Sequence, residues 1–157
     1  MAIEASITPK EDGITKALNG MMNRVSTIEG YLDRNLWRQY QKAQIERFQS
    51  QSASEGNRWS ELKPEYAKRK KRIYASYEGG GNVVMIATGK LAKGAEGEDS
   101  SYFYREVSSR GMKVYMNTGS VPYAAYAAEA RPYMSFSQAT LEEMRRGIRD
   151  FIKKGKA

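Results

Sequence analysis

The strongest constraint on the fold is a helical period that runs from Ser26 to about Gln51. Ile28, Tyr31 or Leu32, Leu36, Trp37, Tyr40, Ile45 and Phe48 recur mostly three or four residues apart, with a five-residue step from Tyr40 to Ile45, and Arg34, Arg38, Lys42, Glu46 and Arg47 lie on the other side. Such spacing gathers the apolar side chains into one stripe that another layer must cover. Ser26 with Glu29 three residues later matches a capping box, in which each side chain satisfies a free backbone amide of the other's turn. This long helix is the element on which the remaining pieces have to pack.

It leads into a polar loop, SASEGNRW, in which Gly56 and Asn57 tolerate unusual backbone angles and Trp59 supplies a large apolar anchor. Pro64 and Glu65 suit the first turn of a second helix. Lys68, Arg69, Lys70, Lys71 and Arg72 crowd its far end, where the helix dipole favours cations. The pattern predicts a short, strongly basic helix on a Trp-anchored loop, suited to surface contact with other subunits or with DNA. The SYEGGGN segment, residues 76–82, is predicted to be a flexible loop and a further subunit contact, because three adjacent glycines lose much entropy on ordering.

Upstream, Ile14, Leu18, Met21, Met22 and Val25 predict an amphipathic helix from about Lys10 to Val25, weakened by Gly13 and Gly20. Residues 1–9 read as a short strand or an extended arm ending at Pro9. Downstream, residues 83–87 fit a strand or the lead-in to a helix. SYFYREV and MKVYMN predict a hairpin across Ser108 to Gly111. A turn or two of helix is expected between Val121 and Tyr133. Ser137 or Ser135 should cap a last helix with Leu141, Met144, Ile148, Phe151 and Ile152 on its face, ended by Gly155. The expected fold class is α+β: a small antiparallel sheet, built on the 101–117 hairpin and residues 83–87, packed against the long helix and the C-terminal helix. The Thr88–Leu91 turn and the Trp59 loop should fix the ends of that sheet.

The chain has 157 residues, which fits one domain, and a formal charge of +8, which points to an anionic partner or to acidic neighbours in an assembly. It has no cysteine and no histidine. Disulfides, thiolate metal sites, Ser-His-Asp and Cys-His arrangements are therefore excluded, and the usual neutral-pH proton shuttle is missing. Neither a signal peptide nor an apolar run long enough to span a membrane is recognised.

Three chemical readings compete. Thr88-Gly89-Lys90 invites a phosphate loop, but the positions that need glycine and a hydroxyl are Val84 and Leu91. The acidic groups Glu96, Glu98 and Asp99, Glu142 and Glu143, and Glu11 with Asp12 lack calcium-loop spacing, and the helical pair lies beside Arg145 and Arg146, as on a salt-bridged face. No catalytic, cofactor or metal site is expected. A nucleic-acid-binding module, acting in DNA packaging or passage, is the alternative function, on the basic helix, Trp59 and the many tyrosines. Its cations are spread along the chain, and no recognised reading motif accompanies them.

Taken in order, RFQSQSASEGNRWSELKPEYAKRKKR, MIATGKL and VYMNTGSVPYAAYAAEARPYMSFS, followed by an amphipathic helix, resemble the phage virion morphogenesis family. These are tail completion and neck proteins resembling the G protein of phage Mu. The family pattern falls here on Arg47 and Phe48; Gly56, Trp59 and Leu62; Arg69 and Lys70; Thr88, Gly89 and Leu91; Tyr123, Ala124 and Ala125; and Arg131, Pro132 and Tyr133. The stretch between Tyr-Ala-Ala and Arg-Pro is only residues 126–130, shorter than usual for the family, and Tyr133 stands where phenylalanine is usual. The resemblance covers roughly residues 30–155.

It implies a non-enzymatic virion component at the head–tail junction or upper tail, made and assembled in the host cytoplasm. The implied form is a ring, with a hexamer favoured by six-fold tails and a dodecamer matching the portal as the second choice. Other neck and tail proteins would be partners, with non-specific contact to DNA in the channel. Trp59, Leu62, Thr88, Gly89, Leu91, Tyr123, Arg131 and Pro132 would then be scaffold positions.

Overall fold

The computed structural model describes residues 13–53, 56–77 and 83–155; the 1–9 arm lies outside them, as does most of the 76–82 loop. Helix α1 spans Gly13–Ser26 and is not interrupted at Gly20. Its break from the next helix comes at Thr27, and the expected capping box does not form. Ser26 Oγ instead donates to Asn23 O at 2.7 Å and Thr27 Oγ1 to the same carbonyl at 3.2 Å, so both hydroxyls close the helix they follow.

The long helix is α2 (Ile28–Tyr31), a π-helical turn (Leu32–Leu36) and α3 (Trp37–Ser50) run together. A π turn inserts a residue into the helical count and rotates the turns after it. The inner stripe differs from the expected one. Ile28, Tyr31, Leu32, Tyr40 and Phe48 are buried, but Gln44 and Arg47 are buried with them while Ile45 faces out. Gln51 ends the helix in the left-handed region.

Helix α4 spans Pro64–Ile73 and α5 spans Lys90–Ala95. Strands β1 (Phe103–Ser108) and β2 (Gly111–Met116) pair antiparallel, with Phe103 opposite Met116 and Ser108 opposite Gly111. Residues 83–87 are not a third strand. Val84 and Met85 form a turn, with Met85 at φ +64°, a backbone conformation that cannot continue a ladder. The named sheet thus consists of two strands among the described residues.

Helix α6 spans Ala124–Ala130 and α7 spans Gln138–Lys154. Of the two candidate caps for α7 it is Ser137 whose Oγ accepts from Thr140 N at 3.1 Å, and Gly155 at φ +68° ends the helix.

The fold is α+β, with the hairpin on the long helix and on α7. Val107 and the α7 residues Ile148, Phe151 and Ile152 pack on Ile28, Tyr31 and Leu32, with the Tyr31 and Phe151 rings stacked at 4.5 Å. Trp37 stacks on Phe103 at 5.4 Å, and Arg105 lies over the Trp37 ring while pairing with Asp33 at 2.6 Å. A second cluster holds Phe48, Trp59, Val84, Leu91, Ala92, Ala95, Val121, Ala124 and Tyr133. Each large apolar side chain buried there contributes on the order of 1.5–3 kcal/mol relative to exposure. Helix α5 abuts the sheet: Gly94 packs so closely on Tyr102 and Met116 that a Cβ there would lie 2.9 and 2.6 Å from them.

Candidate functional site

The second cluster brings together segments that are far apart in the chain. Phe48 meets Trp59 edge-on at 5.4 Å and Tyr133 at 6.3 Å. Beside Phe48, Arg47 turns inward, donating to Tyr133 O and, at 3.1 Å, to Gln44 Oε1. Burial holds its pKa below the usual arginine value, with Tyr40 acting in the other direction. Tyr133 Oη donates to Ala124 O at 3.1 Å, and burial pushes its pKa up to about 12. Arg131 Nη2 donates to Ser60 O at 3.1 Å, tying the Arg-Pro-Tyr segment to the Trp59 loop.

The expected scaffold positions divide. Trp59 and Leu91 are buried in the cluster, Leu62 packs on it, and Gly89 at φ +82° gives the turn that starts α5. Thr88 is half-buried, with its Oγ1 enclosed and unpartnered. Tyr123 and Pro132 are exposed; their neighbours Ala124 and Tyr133 are the ones that fill the core. The scaffold reading did not assign Arg47 and Gln44 to the interior, since a polar residue on a stripe gives no signal by periodicity.

Of the five clustered cations, Lys68, Arg69, Lys71 and Arg72 are exposed. Lys70 is only 3% exposed, and its ammonium donates to Val83 O. It lies four residues after Tyr66, on the inner side of α4, and burial lowers its pKa. Between α4 and α6 is a cavity of about 170 Å³, lined by Tyr66 and Lys70 on one side, by Tyr123, Ala127 and Arg131 on the other, and floored by Leu62, Leu91 and residues 85–87.

Helix α1 forms a separate surface. None of its residues is buried, and Ile14, Leu18, Met22 and Val25 are 50–69% exposed along one face. Arg24 fastens the helix to the end of α7, through Nε to Ile152 O at 2.6 Å and Nη2 to Lys153 O at 3.0 Å. Among the described residues no helix is long and apolar enough to cross a membrane.

Comparison of the chain with protein-family models, with curated proteins and with solved structures finds no match.

Proposed function

We propose that this protein is a structural component of a tailed bacteriophage particle, completing the tail or joining it to the head as a member of a closed ring. The reading rests on the ordered motifs that resemble the virion morphogenesis family. The structural observation that supports it most is the face of α1 that the other described residues leave uncovered, where Ile14, Leu18, Met22 and Val25 expose an apolar stripe suited to a contact between copies. A heterologous contact through such a face closes into a ring when the rotation between copies permits it. A hexamer matches tail symmetry, with a dodecamer as the second choice. Exposed Lys68, Arg69, Lys71 and Arg72 then meet acidic neighbouring rings or line the DNA channel. The role is non-enzymatic, and its place is the head–tail junction or upper tail, reached from the host cytoplasm during assembly.

Native mass spectrometry of the purified protein tests the ring. The expected species is a closed oligomer of six or twelve copies, and Leu18→Glu with Met22→Glu should give a folded monomer, because both side chains are exposed. A wild type that stays monomeric at high concentration, or a double variant that forms the same ring, would remove this support.

A further inference from the structure

We propose that the cavity between α4 and α6 is a docking site for an acidic segment of a partner protein, taking one carboxylate side chain together with an adjacent apolar one. This inference stands on the chemistry of the cavity and does not depend on the neck assignment.

Two cationic groups line the cavity, and each has unused donors. The Lys70 ammonium carries three N–H groups, and its acceptor among the described residues is the Val83 carbonyl. Arg131 also lines the space and spends Nη2 on Ser60 O, while its Nη1 has no acceptor among the described residues. Among the described residues no aspartate or glutamate lines the same space. A buried cation that lacks a counter-charge is unfavourable, and a carboxylate would supply both the charge and the acceptors.

The walls decide which anion fits. Leu62, Met85, Ile86 and Leu91 are apolar, so an occupant that brings carbon as well as oxygen covers them, which phosphate does not. A carboxylate has two oxygens to satisfy, and the space of about 170 Å³ leaves room for a neighbouring apolar side chain. At the opening Tyr66 is 52% and Tyr123 is 44% exposed. Rings of this kind give large contact area at low entropic cost, as in protein interfaces. The exposed cations Lys68, Arg69, Lys71 and Arg72 on the same helix would steer an acidic segment towards the cavity.

The test is affinity selection on the immobilised full-length protein with two pools of short peptides. One pool has glutamate fixed at the centre and the other glutamine, with all remaining positions randomised. The glutamate pool should be retained at least about tenfold better, a difference near 1.4 kcal/mol, with apolar residues enriched beside the glutamate. Lys70→Met should abolish the preference while matching or exceeding the wild-type melting temperature, since it replaces a buried cation by an apolar chain of similar shape. Should that variant not fold, Ala127→Phe keeps both cations, fills the space from α6 and should also abolish retention. Equal retention of the two pools, or retention of neither, overturns the proposal. Full displacement by inorganic phosphate would make the cavity a general oxyanion site and overturn the peptide assignment. Unchanged retention of the glutamate pool by Ala127→Phe would place binding elsewhere.

Discussion

Replacing Trp59 by alanine probes the joint that holds the distant segments together. The side chain is 6% exposed, and its ring meets Phe48 edge-on at 5.4 Å within the cluster that includes Val84, Leu91 and Tyr133. Removing a buried indole costs about 3–5 kcal/mol once the cavity is counted, and the lost aromatic pair lies within that figure. One term works the other way: Trp59 Nε1 is enclosed without an acceptor among the described residues, so its deletion removes one unsatisfied neutral donor, worth about 1 kcal/mol at the low end of the cost of such groups. The net expectation is a loss of about 2–4 kcal/mol. In a chain of this size that lowers the melting temperature by roughly 5–15 °C. Urea unfolding followed by circular dichroism measures it, with Trp59→Phe as the companion. Phenylalanine keeps the ring and drops the unpaired N–H, so it should recover more than half of the loss. A Trp59→Ala protein within about 0.5 kcal/mol of wild type, the range of ordinary surface changes, would refute the view that the indole anchors the loop.

Other perturbations separate the two clusters and the α1 attachment. Gly97→Ala should destabilise by about 2 kcal/mol or more in urea unfolding, because Gly97 sits at φ +69° and a Cβ there would meet Trp37 Cζ2 at 2.3 Å. Arg24→Ala should speed amide hydrogen exchange along α1 and leave α3 unchanged, because the Arg24 bonds to Ile152 O and Lys153 O fasten that helix. Equal acceleration in both helices would contradict a local attachment. Alkaline pH should also act on Tyr133, whose folded-state pKa is raised by burial from 10.0 to about 12. The stability tied to its protonated form is complete below pH 10 and is lost as pH rises through 12. Tyr133→Phe should flatten that decline in urea titrations. Lys70 acts with the opposite sign, since its lowered value makes stability rise with pH in the window below the ordinary lysine range.

Much of the architecture can be read from the sequence where a single period holds over many residues. The long helix, the hairpin and α7 all follow from such runs. The departures have local physical causes. Within α3, Gln44 and Arg47 lie four and seven residues after the buried Tyr40 and share its inner face, whereas Ile45, five residues on, turns outward. The apolar run at residues 83–87 is buried in part, but a short apolar run does not distinguish a strand from a turn, and Met85 adopts a positive φ. Ser26 has the spacing of a capping box, yet its hydroxyl finds a carbonyl behind it first. The candidate surfaces are harder to read. Lys70 stands in a charge run that looks wholly solvated, and only the helical offset from Tyr66 shows that it turns inward. The α1 stripe is visible as an amphipathic face, but sequence carries no mark of whether such a face is covered by its own chain.

The proposed role in completing a phage particle is best tested by electron microscopy of lysates induced from the genome that carries this gene, with a nonsense codon placed early in it. The expected result is full heads and separate tails, or tails of abnormal length, with infectious particles restored by supplying the protein in trans. Intact, infectious particles at wild-type yield from the nonsense allele would contradict that role.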